Sequence, residues 1–217
     1  MPKHRKIRYA ISRRSRTAFV FLSLLLGAAL IWLDHTHTER RRQYRPNAKQ
    51  QLSVGDFEKY HKKTFTVVNV VDGDTLDIGI HDGNDNHTRI RLWGIDTPET
   101  KNPKLGVMYF GPQASEFTRE LTLGKSVTVY LDEADTRDKY NRLLAYIQLP
   151  DGKYLNELLL TKGFAYADLR FRHSFYHSYQ QLEAAARSQK KGLWEKVTRQ
   201  QLPEWLKKKK PNLLLDK

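Results

Sequence analysis

The sequence predicts a single α+β domain, and three observations carry that prediction. Five short runs rich in β-branched and apolar residues, at 64–71, 75–80, 88–93, 126–131 and 143–149, are separated by turn residues. Three further stretches, 112–123, 156–162 and 178–191, set apolar residues three and four apart and are each followed at once by a glycine: Gly124, Gly163 or Gly192. The chain of 217 residues has room for one such domain with a packed core. It contains no cysteine, so disulfides, thiol catalysis and thiolate-bound zinc are excluded.

The chain opens on a basic segment, 1–17, with Lys3, Arg5, Lys6, Arg8, Arg13, Arg14 and Arg16 and no acid. An apolar run over 18–33 follows, interrupted only by Ser23 and Gly27. As a helix it would be roughly 24 Å long, somewhat short of the ~30 Å hydrocarbon core of a bilayer. The run ends Ile31-Trp32-Leu33-Asp34-His35, where a cleaved signal peptide needs small residues. The expectation is a single transmembrane signal anchor, with Trp32 at a headgroup interface. The flanking charge puts the N-terminus in the cytoplasm and the domain outside. Secretion after cleavage and a mitochondrial presequence are the competing readings. Residues 34–60 are polar without a sustained period and are expected to form a stalk.

The first strand is Thr64-Phe65-Thr66-Val67-Val68-Asn69-Val70-Val71, closed by the turn signal Asp72-Gly73. Thr75 to Ile80 alternates as a half-buried strand does. Asp82-Gly83-Asn84-Asp85-Asn86 makes a hairpin connection. The third strand puts Ile90 and Leu92 on one face and Arg89 and Arg91 on the other. Residues 100–111 read as a surface loop. The first domain helix then aligns Ala114, Phe117 and Leu121. The last helix should turn Leu182 and Ala185 or Ala186 inward. The tail, 196–217, carries Lys207-Lys208-Lys209-Lys210 and is expected to be mobile.

The formal net charge is +14, but residues 1–50 carry +10 and residues 196–217 carry +5, leaving −1 for 51–195. The basic character belongs to the two ends, so overall charge is weak support for a polyanionic partner. The case rests on three segments: Val71-Asp72-Gly73-Asp74-Thr75, then Arg91-Leu92-Trp93-Gly94-Ile95-Asp96-Thr97-Pro98-Glu99-Thr100, then Asp138-Lys139-Tyr140-Asn141-Arg142. Each has an ordinary structural explanation when taken alone. Asp72-Gly73-Asp74 is turn chemistry. Asp96-Thr97-Pro98-Glu99 looks like a helix start. Arg91 suits a solvated strand face, and Arg142 suits an ion pair with Asp138 or Asp135. Together they place carboxylates and arginines at the ends of apolar runs. Carboxylates hold a hard cation and arginines grip phosphate, so the set points to phosphodiester cleavage. His173 and His177 lie four apart, but no third metal ligand accompanies them.

In this order and at these spacings the three segments resemble the staphylococcal nuclease (thermonuclease) family, over about 63–194. The resemblance implies a five-stranded OB-type Greek-key β-barrel with about three helices, spanning 61–195. It implies that Asp74, Asp96 and the backbone carbonyl of Thr97 bind Ca²⁺. Glu99 maps onto the family's proposed general base, Arg91 and Arg142 onto its phosphate clamps. Lys139 and Tyr140 map onto contacts with a terminal phosphate. The implied activity is a Ca²⁺-dependent endonuclease, a hydrolase of low sequence specificity acting on DNA and/or RNA. Water is the nucleophile and 3′-phosphates are the products. Asn141 stands where the family often has glycine, a departure asparagine tolerates. Residues 163–171 match the family's base-flanking tyrosines only in part, with Tyr166 or Phe171 as stacking candidates. The alternative is a non-catalytic module of the same fold that binds nucleic acid or protein. Such modules usually lack the acids or the arginines that this chain keeps. The expected partners are a nucleic-acid substrate and a membrane, with the protein itself a monomer.

Overall fold

The five expected strands close on themselves. The chain is described by a computed structural model over residues 26, 48–100, 106–132 and 135–214. The strands β1 (Lys63–Asp72), β2 (Thr75–Ile78), β3 (Thr88–Leu92), β5 (Ser126–Leu131) and β6 (Leu143–Gln148) form a closed barrel in the order β1-β2-β3-β6-β5. All pairings are antiparallel except β3 with β6, which is parallel. The interior is filled by Val67, Val70, Leu76, Ile78, Ile90, Leu92, Val127, Val129, Ala145 and Ile147, all buried; β3 and β5 alternate cleanly, and register shifts in β1 set Val67 and Val70 three apart. A separate two-stranded sheet joins β4 (Ile95–Asp96) to β7 (Tyr166–Ala167).

Around the barrel lie the expected helices α2 (Gly111–Thr122), α3 (Leu155–Thr161) and α4 (Tyr176–Ser188). Gly124 and Gly163 take left-handed φ values of 73° and 75° where α2 and α3 stop, as a helix exit requires. The inward face of α4 is Tyr179, Glu183 and Ala186; Leu182 is half-buried and Ala185 is exposed. Glu183 is fully enclosed because it accepts the Ala167 N–H at 2.9 Å and pairs with Arg187 at 2.9 Å.

Three expectations are corrected. First, β2 does not alternate; all four residues are buried. Asp77 tolerates this because Arg89 forks onto it at 2.8 and 3.1 Å and Asn69 donates at 2.9 Å.

Second, the stalk expected over 34–60 is, in its second half, a helix, α1 (Ala48–Tyr60). Its end is part of the barrel wall: Tyr60 is fully buried and its hydroxyl lies 3.1 Å from Thr88 Oγ1. Asp56 is buried against Arg137, which also holds Asp82 at 2.6 Å and the Asn141 carbonyl at 3.1 Å. The anchor is ionic and comes from 81 residues away, so hydrophobic periodicity could not show it. Arg137→Ala would leave the buried Asp56 and the half-buried Asp82 without this counter-charge. It is expected to lower unfolding free energy by about 3–5 kcal/mol, measurable by urea denaturation.

Third, the tail expected to be mobile is folded. A 3₁₀ turn at Arg199–Gln201 leads into α5 (Glu204–Lys209). Val197, Leu202 and Leu206 join Tyr166, Leu169, Ala186, Leu193 and Trp194 in a second core. The lysine run masks the i, i+4 pair Leu202 and Leu206, which supplies the apolar face.

With α1 and α5 the described residues hold five α-helices, against about three expected. The basic segment 1–17, the apolar run 18–33 apart from residue 26, and residues 34–47 lie outside the described residues. Among the described residues no helix is long and apolar enough to cross a membrane.

Candidate active site

The turn between β1 and β2 sets the first acid. Asp72 behaves as turn chemistry, accepting the Asp74 N–H at 3.2 Å. Asp74 faces inward and is only 2% exposed. It accepts the Thr75 hydroxyl at 3.1 Å and the Thr97 N–H at 2.7 Å, and it pairs with Arg91 Nη1. The turn is pressed onto α2: a Cβ at Gly73 would sit 2.9 Å from Thr97 and 3.0 Å from Ala114. Thr118 on α2 also donates to the Gly73 carbonyl at 2.6 Å. Glycine at 73 is thus the consequence of close approach.

The outer face of β3 supplies Arg91, as alternation predicts. Its Nη2 reaches Asp96 Oδ1 at 2.5 Å and the Ile95 carbonyl at 3.2 Å. One guanidinium therefore draws together the two carboxylates expected to hold the metal, one from the β1–β2 turn and one from β4. Residues 97–99 are not helical, so the helix-start explanation of Asp96-Thr97-Pro98-Glu99 fails. Glu99 is half-buried. Burial pushes its carboxyl above the ordinary glutamate range, and the Asp72 and Asp96 carboxylates push the same way, partly offset by Arg91 and Arg142. Asp96, Arg91 and Arg142 are thus brought to Glu99, as the three motifs were expected to do, and Asp72 joins them.

Arg142 arrives from the turn before β6, which the parallel pairing of Ile90 with Leu143 sets beside β3. Asn141 has φ +63°, the left-handed turn that glycine or asparagine tolerates. Asp138 organises this turn by accepting the Tyr140 and Arg142 N–H groups at 2.9 and 3.0 Å. It also takes Arg142 Nε at 2.7 Å, so the ion pair allowed by sequence is formed. Tyr140 is 67% exposed, with Lys139 Nζ 4.9 Å and Arg142 Cζ 5.4 Å from its ring centroid. Three of the four groups expected to meet phosphate, Lys139, Tyr140 and Arg142, thus share one turn.

Two groups at the site were missed. Arg170 donates to Asp96 Oδ1 at 3.0 Å, and Trp205 donates to Asp96 Oδ2 at 2.7 Å. The only sequence signals were an acid two residues before Arg170 and a tryptophan ahead of a lysine run. Of the stacking candidates, Tyr166 is buried edge-on against Trp194 at 5.4 Å, while Phe171 is 52% exposed, 5.8 Å from the Trp93 ring. His173 lies 3.1 Å from the Tyr146 hydroxyl, and burial lowers its pKa; His177 is exposed. They form no metal pair.

The donor set fits a hard cation. Asp74, Asp96 and the Thr97 carbonyl offer oxygen alone. Asp72, Asp74, Asp96 and Glu99 outnumber Arg91 and Arg142, and Arg142 is already matched by Asp138. That surplus of negative charge, which adds to burial in raising Glu99, is what a divalent cation would relieve. Among the described residues no three His, Asp or Glu side chains form a ready-made cage. Two carboxylates would share the ion with backbone, water and phosphate.

The chain matches the family described as staphylococcal nuclease homologue over residues 89–196. It is 37% identical over 133 residues to the SPbeta prophage-derived endonuclease YokF of Bacillus subtilis, covering 60% of this chain and 44% of that protein. It is 34% identical over 154 residues to endonuclease YncB of the same organism, covering 69% of this chain and 71% of that one. To the thermonuclease of Staphylococcus hyicus it is 34% identical over 136 residues, 62% of this chain and 77% of that one. The match thus spans less than half of the first relative and over two thirds of the other two.

Proposed function

Because this chain belongs to the family of staphylococcal nuclease homologues, a family of nuclease hydrolases, we propose that it is a Ca²⁺-dependent endonuclease of low sequence specificity. It acts on DNA and/or RNA and leaves 3′-phosphates. The observation that carries this reading is the meeting of Asp74 and Asp96 on Arg91, with Glu99 in the field of both arginines.

The chain's own groups divide the work. Asp74, Asp96 and the Thr97 carbonyl would hold the cation. When bound, Ca²⁺ supplies Lewis-acid polarisation of the phosphoryl group. Glu99 takes a proton from the attacking water as the new P–O bond forms. The P–O5′ bond breaks, and the departing oxygen takes a proton from solvent. Arg91 and Arg142 present planar forks to the phosphate oxygens and offset the charge that grows in the transition state. Lys139 and Tyr140 bind a neighbouring phosphate from the same turn as Arg142. The protein acts as a monomer.

The deciding assay uses residues 51–217, which form one compact unit. Single-stranded DNA should be cut in Ca²⁺ and spared when a chelator is added. Cutting that survives chelation would remove the metal from the account. Nucleotide binding without cutting would favour the non-catalytic module instead.

Arg91 pairs with both carboxylates that would hold the cation, so its positive charge opposes that of the ion. Arg91→Ala is expected to bind Ca²⁺ about tenfold tighter in the absence of nucleotide, a difference of ~1.4 kcal/mol. Calorimetric titration of both proteins checks the sign; weaker binding by the variant would contradict it.

Residues 18–33 are proposed to anchor the protein in a membrane, with the nuclease domain outside the cytoplasm. The support is the uncharged run and the basic segment ahead of it. Protease treatment of intact cells carrying a C-terminal tag should remove the tag; a protected tag refutes the orientation.

A further inference from the structure

The Asp96 carboxylate is gripped from a side of the site that no expected catalytic residue occupies. Arg170 donates to Oδ1 at 3.0 Å, and the Trp205 indole donates to Oδ2 at 2.7 Å. The two donors hold each other, with Arg170 Cζ 4.8 Å from the Trp205 ring centroid. Arg170 is also forked onto Asp168 at 2.9 and 2.8 Å, so its charge is matched before it reaches Asp96. Trp205 is delivered by α5, whose neighbours Leu202 and Leu206 are buried in the second core.

We propose that Trp205, backed by Arg170, is a positioning residue for Asp96, so that a cation site built on the barrel is completed by the C-terminal segment. This rests on the reading of Asp96 as a Ca²⁺ ligand. A carboxylate offers about four lone-pair positions. Arg91 and Arg170 take two on Oδ1 and Trp205 takes one on Oδ2, which leaves one on Oδ2 for a cation. An indole N–H suits this task because it fixes the carboxylate without bringing a positive charge to compete with the ion. A lysine or arginine at 205 would satisfy the same oxygen and repel Ca²⁺. Hydrogen-bond partners behind metal ligands typically govern metal affinity by 10- to 100-fold.

The test is calorimetric titration of Ca²⁺ into the full chain, wild type and Trp205→Phe. Phenylalanine keeps a six-membered ring near Arg170 while removing the N–H together with part of the indole. The dissociation constant is expected to rise by about 10- to 100-fold, while the melting temperature of the Ca²⁺-free protein stays nearly the same. Affinity equal to wild type overturns the proposal. So does a lower melting temperature with unchanged affinity, which is the signature of mere packing. Should Trp205→Phe fail to fold, benzothienylalanine at 205, which replaces the N–H by sulfur at the same shape, carries the test with the same outcomes. A wild-type protein that binds no divalent ion fails the reading of the site itself, and this inference with it; normal wild-type binding with an unaffected variant fails this inference alone.

Discussion

Glu99→Gln is expected to lower kcat by about 10²–10⁴-fold, the usual contribution of a general base, without loss of the fold. Glutamine keeps an oxygen that can orient water but cannot take its proton, so the variant separates the two roles open to Glu99. A loss of only a few-fold would leave Glu99 as an orienting group. The pH profile gives a second reading. Burial and the neighbouring Asp72 and Asp96 carboxylates raise the Glu99 carboxyl above the ordinary glutamate range. A base works deprotonated, so kcat/KM of the wild type should fall as pH drops through that raised value, earlier than an ordinary glutamate would produce. In Glu99→Gln that acid limb should disappear. Stability is little at risk, because Glu99 is only half-buried and lies outside the hydrophobic core.

Arg142→Ala is expected to lose about 10²–10³ in kcat, or ~3–4 kcal/mol of transition-state stabilisation, with an almost unchanged melting temperature. The structural half follows from Asp138. With the guanidinium gone, that carboxylate still accepts the N–H groups of residues 140 and 142. The turn therefore keeps its organiser. The pair that is lost is a partly exposed i, i+4 ion pair of the kind worth ~0–1 kcal/mol. Arg142→Lys should recover little activity, since an ammonium cannot present two donors in a plane. Normal turnover in a folded Arg142→Ala protein would remove this arginine from the mechanism.

The five strands were legible because each is an apolar run ended by turn residues, and the core needs only that pattern. The meeting of the candidate site residues was legible for a different reason. Asp74, Arg91, Asp96, Glu99 and Arg142 stand at strand ends or in turns, where closure of a barrel must gather them. Asp77 was misread because a buried acid on β2 depends on Arg89 across the ladder, and alternation says nothing about pairs. The helix α1 was misread because its anchor is the ion pair from Asp56 to Arg137 rather than an apolar stripe. The C-terminal segment was misread because four lysines outweigh two leucines in any local average, although those leucines decide where it goes.

The sequence by itself determined the five barrel strands, the three helices packed around them, the absence of thiol chemistry, and which acids and arginines are the candidates for function. All of these follow from residue type and short-range spacing. Only the tertiary structure decided that one guanidinium holds both Asp74 and Asp96, that Glu99 lies near them, and that Trp205 reaches Asp96 from 109 residues away. Hydrogen bonds and ion pairs act over about 3 Å of space, and no spacing along the chain reports which distant residues the closed barrel brings within that reach.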